Sequence, residues 1–79
     1  MNMIALIAPS PQNNGEKSLL GKFGAELSPL PDGVVQPAEN IWLIDPEIAI
    51  DFVLKAGQIA ERVTQRIQVY SNVSKRLVE

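Results

Sequence analysis

Arg66-Ile67-Gln68-Val69-Tyr70 sits where a helix either stops or runs on, and the two outcomes are different folds. The segment alternates polar and apolar residues and is rich in β-formers, which is the period of a half-buried strand. Neither Gly nor Pro occurs after Gly57, however, and Ile67, Tyr70, Leu77 and Val78 stay in phase with the apolar helical face upstream. An unbroken helix to the terminus would be about 50 Å long, far beyond the mean helix of about 11 to 12 residues. The sequence is therefore read as a helix to about Thr64 followed by a strand. The alternative is a small antiparallel sheet followed by one long C-terminal helix.

Upstream, Asp45-Pro46-Glu47 predicts the start of that helix, with Asp at the N-cap, Pro at the first helical position and Glu at the positive helix end. At 100° per residue, Ile48, Ala49, Phe52, Val53, Ala56, Ile59, Ala60 and Val63 gather on one side, opposite Asp51, Lys55, Gln58, Arg62 and Gln65. Before it, Ile41-Trp42-Leu43-Ile44 reads as a strand apolar on both faces. Val34-Val35 opens another, joined to it by a four-residue hairpin loop over Pro37 to Asn40. Pro31-Asp32-Gly33 is turn chemistry. Leu19, Leu20, Phe23 and Leu27 fall at helical spacing between Glu16 and Leu27, weakened by Gly21 and Gly24 and ended by Ser28-Pro29. Met3 to Ala8 is a further buried strand, ended by Pro9-Ser10-Pro11.

The order is β-α-β-β-α-β, an α+β fold of the ferredoxin-like split type with two helices on one face of the sheet. In that arrangement the first and third strands are central, and those are the two strands whose residues are apolar on both faces. The open face then calls for a cover from outside, a second copy or a protein partner.

Length and composition bound the rest. The 79 residues make one domain, residues 1–79, which is 46% hydrophobic and 20% charged, an ordinary globular balance. A net charge of −2 is too small to turn the whole surface into a nucleic-acid or membrane footprint. With no Cys and no His, disulfides, thiol nucleophiles, the common zinc sites and imidazole catalysis are excluded. No cofactor is expected. The apolar run Ile4 to Ala8 is too short to span a bilayer or form a signal-peptide core, so a cytoplasmic protein is expected.

Among motifs with chemical meaning, Asn13-Asn14-Gly15-Glu16-Lys17-Ser18 lies where a phosphate loop would, but Glu16 and Pro11 stand where its glycines are needed. Asp45, Glu47 and Asp51 read as a cap, a dipole complement and an i, i+4 partner for Lys55, rather than as a metal site. Lys55, Arg62 and Arg66 fall within about 40° of one another if the helix reaches Arg66, a short stripe suited to phosphate contacts. Ile50 and Leu54 break the binary pattern beside Gly57 and are either a candidate partner interface or a pair covered by Tyr70 to Leu77 or the Pro-rich loops; Trp42 reads first as a core residue and second as an anchor of that interface.

The element order resembles that of small ferredoxin-like nucleases of the CRISPR adaptation and antitoxin type, which act as dimers on nucleic acid. Those nucleases place an Asp at the end of the first strand, where this chain has Ala8-Pro9-Ser10. The expectation is a small non-enzymatic protein-interaction module, a regulator or inhibitor of the kind often carried by phage and mobile elements. It would bind a protein partner or itself. A dimeric nucleic-acid-binding or nuclease protein is the second reading, and a structural subunit assembling through its C-terminal helix the third.

Overall fold

The computed structural model describes residues 2–74, with side chains through 71. The elements are β1 (Asn2–Ile7), α1 (Asn14–Leu27), β2 (Val34–Ala38), β3 (Ile41–Ile44), α2 (Ala49–Val63) and β4 (Gln68–Ser74). All pairings are antiparallel and the strand order is β2-β3-β1-β4, which is the ferredoxin-like split arrangement with β1 and β3 central. Arg66 to Tyr70 is therefore coil and strand, and the long-helix alternative is not formed. Leu77 and Val78 lie outside the described residues.

Alternation along β1 and β3 sends Ile4, Leu6 and Ala8, with Trp42 and Ile44, toward the helices. There they join Leu20, Phe23 and Leu27 of α1 and Ala49, Phe52, Ala56, Ile59 and Ala60 of α2 in one core. Phe23 meets Trp42 edge-to-face, with centroids 5.4 Å apart and ring planes at 89°, the geometry that aromatic quadrupoles prefer.

The opposite face carries a row formed by the register pairs Val35↔Leu43, Leu43↔Ala5 and Ala5↔Tyr70. Its two central members, Leu43 and Ala5, are buried, whereas Val35 and Tyr70 at the ends are each 47% exposed. The open face was expected to leave the residues of both central strands in need of cover. Its exposure is instead concentrated on the edge strands.

Three boundaries differ from the sequence reading. Asp45 does not cap α2, because its backbone N–H still donates to Gly33 O at 2.8 Å and keeps it at the sheet. The chain needs a turn before it can enter the helix, and Asp45 Oδ1 accepts from Glu47 N in that turn at 2.9 Å. Helix α2 then starts at Ala49 with no side-chain cap. Helix α1 starts at Asn14 rather than Glu16, behind Asn13, whose Oδ1 accepts from Glu16 N at 2.8 Å. Finally, β2 runs through Pro37 to Ala38, so the hairpin loop is the two residues Glu39 and Asn40. An edge strand tolerates Pro because an outward N–H is not needed there, and the register shifts between Val35 and Ala38 to accommodate it.

Candidate interaction surfaces

Helix α2 has two flanks. On one, Arg62 forms an ion pair with Glu26 of α1 at 2.7 Å, and Lys55 shares a shallow groove with Pro29 and Pro31, which follow α1. That flank faces α1. The other flank carries Val53, Gly57, Ile50, Glu61 and Leu54 within about 100° of arc. Here Ile50 is 78% exposed and Leu54 61%, the two largest exposures of any large apolar side chain described. A Cβ built on Gly57 would meet nothing within 4 Å, so the surface beside the pair is open. Three of the four residues expected at the interface thus come together on one stripe.

Trp42, the fourth, does not. It is fully buried, because alternation in β3 puts it on the helix face beneath Phe23, and it cannot anchor a partner from there. Its Nε1 has no hydrogen-bond partner among the described residues.

The basic stripe also comes apart. Thr64 ends α2 in a left-handed conformation, and Arg66 lies beyond it in the coil before β4. Arg62 is engaged with Glu26, and because both side chains are well exposed the pair is worth little to stability. Among the described residues that is the one ion pair, so Asp51 and Lys55 do not form the i, i+4 bridge their spacing allows.

Asn13 to Ser18, in the place of a phosphate loop, builds a helix start. Besides the Asn13 bond, Glu16 Oε1 accepts from Gln12 N at 2.8 Å, so its carboxylate ties down the residue that precedes the cap. Next to it is a cleft of about 470 Å³ between the exit of β1 and the end of α2, lined by Pro9, Ser10, Gln12, Glu16, Thr64 and Arg66 among others. Its carboxylate is committed to Gln12 N and its cation is exposed, so nothing in it pairs a nucleophile with a base.

Two structurally important residues had no sequence signal. Asn40 Nδ2 donates to Ala8 O at 2.8 Å, and Ala8 N donates to Asn40 O at 2.9 Å, which locks the hairpin to the end of β1. The contact spans 32 residues, so no local pattern announces it. Thr64 adopts φ 58°, ψ 36°, where Gly is usual.

The class defined by these elements is a small α+β domain of ferredoxin-like split topology. No protein-family model, curated protein or solved structure matches the chain. Among the described residues no helix is long and apolar enough to cross a membrane, and no group of three or more acidic side chains is placed to hold a metal ion.

Proposed function

We propose that this chain is a non-enzymatic protein-interaction module of the cytoplasm that works by docking through the outer flank of α2. The observation that carries the reading is the exposure of Ile50 and Leu54, one helical turn apart and off the core-facing side. Scattered exposed aliphatics need no explanation, but two on a single stripe, beside a glycine that leaves room for close approach, form a surface that gains from burial. Burying each would contribute roughly 1.5 to 3 kcal/mol. A regulator or inhibitor acting by occupancy requires no more chemistry than this.

The test separates docking from folding. Ile50→Asp and Leu54→Asp should leave the melt of the isolated chain at high dilution nearly unchanged, because both side chains face water in the single chain. The same substitutions should remove proteins that the wild-type chain retains from extracts of its host, since each would bury an unpaired charge at the contact. As a control, Phe52→Ala and Ile59→Ala should cost roughly 2 to 5 kcal/mol, since both are core residues. Equal retention by wild type and both Asp variants would refute the reading.

A further inference from the structure

We infer that the partner seated on this flank is a second copy of the chain, joined by antiparallel pairing of β4 with β4 about a two-fold axis normal to the sheet. The inference rests on the docking reading above and names its occupant.

The two sheet edges differ. Both edge strands shift register, β2 between Val35 and Ala38 and β4 between Tyr70 and Val73, but the β2 edge is five residues long and contains Pro37, two devices that blunt an edge. The β4 edge is seven residues long, with no Pro, Lys, Arg, Asp or Glu from Gln68 to Ser74. Nothing described pairs with its outer side. On this strand Val69 points to the helix side, as the register partner of Leu6, and Tyr70 to the open face, as the partner of Ala5. Each is 47% exposed, so the edge is flanked by half-covered apolar groups on both faces of the sheet.

The helix layer gives the reason for a second copy rather than a foreign strand. Helix α1 carries the chain out to the β2 edge and α2 carries it out to the β4 edge, so the flank of α2 away from α1 faces β4. Two helices packed about 10 Å apart, centred on four strands about 4.8 Å apart, leave α2 over the gap between β1 and β4. A two-fold axis outside β4 that continues the sheet at the same strand spacing then sets α2 and its copy about 10 Å apart, which is again a helix-packing distance. Ile50, Leu54 and Gly57 would be covered by the copy's helix while its β4 fills the edge below. An added peptide strand would satisfy the edge but leave the helix stripe in water, whereas a copy closes both layers with one isologous contact.

Light scattering on the full chain across the micromolar range should give twice the 8.6 kDa chain mass. Val69→Lys and Leu54→Asp, both at already exposed positions, should each weaken the dimer by about tenfold or more. The chain has no Cys, so Gln68→Cys, Tyr70→Cys and Ser71→Cys report proximity without background. Mild oxidation should cross-link at least one of them, and Gln36→Cys on the β2 edge should stay uncross-linked. A monomer at all concentrations would overturn the inference while leaving the docking reading to the retention experiment. A dimer sensitive to Val69→Lys but not to Leu54→Asp would overturn it as well, since the helices would then not meet.

Discussion

Thr64 is the one residue other than Gly with a positive φ among the described residues. The bonds Gln65 N to Ala60 O at 2.8 Å and Thr64 N to Glu61 O at 3.3 Å are the Schellman pair that closes a helix C-terminus. They require a left-handed residue, and a β-branched side chain is poorly suited to that conformation. Gly33, at φ +95°, meets a similar demand with the residue that suits it, and a Cβ there would come within 3.1 Å of Ile48 Cδ1. Thr64→Gly should therefore stabilise the domain by about 1 kcal/mol. For a chain of this size the melting midpoint would rise by roughly 4 to 8 °C. An unchanged or lower midpoint would mean that the Thr side chain contributes contacts that offset its backbone strain.

At the scale of the element, α2 combines a stability role and a surface role on different sides. Its core side is continuous from Ala49 to Ala60, and its outer flank is interrupted at Gly57. A Cβ there touches nothing, so Gly57→Ala should remove only the helix penalty of glycine and stabilise the isolated domain by about 1 kcal/mol. A denaturant midpoint measured at high dilution checks this. Helix α1 shows how local and distant demands trade. The Asn13 side chain caps its start, while a Cβ on Gly24 would stand 3.7 Å from Trp42 Cζ2, an ordinary contact that an added methyl could make.

For the whole molecule, the edge-to-face pair of Phe23 on α1 with Trp42 on β3 joins the helix layer to the sheet in one core. Trp42 is the only Trp and is fully buried, so its fluorescence reports on that core alone. Acrylamide should quench it weakly in the native state. Its unfolding transition should coincide with the loss of helix signal, as expected of one cooperative unit. Quenching as strong as that of a free indole, or two separate transitions, would contradict a core built around this residue.

The sequence by itself determined the element order, the central position of β1 and β3, and the inward side of α2. Each follows from a periodicity of 2 or 3.6 residues or from a run of apolar residues, which are local properties. It also marked Ile50 and Leu54 as misplaced on the helix wheel, because that test needs only neighbours along the chain. Tertiary structure alone decided where Asp45 belongs, held at the sheet by Gly33. It alone closed the Asn40 lock on Ala8 and put Trp42 under Phe23. These are matters of which residues distant in sequence come together, and a pattern read within a few helical turns or one strand carries no record of that.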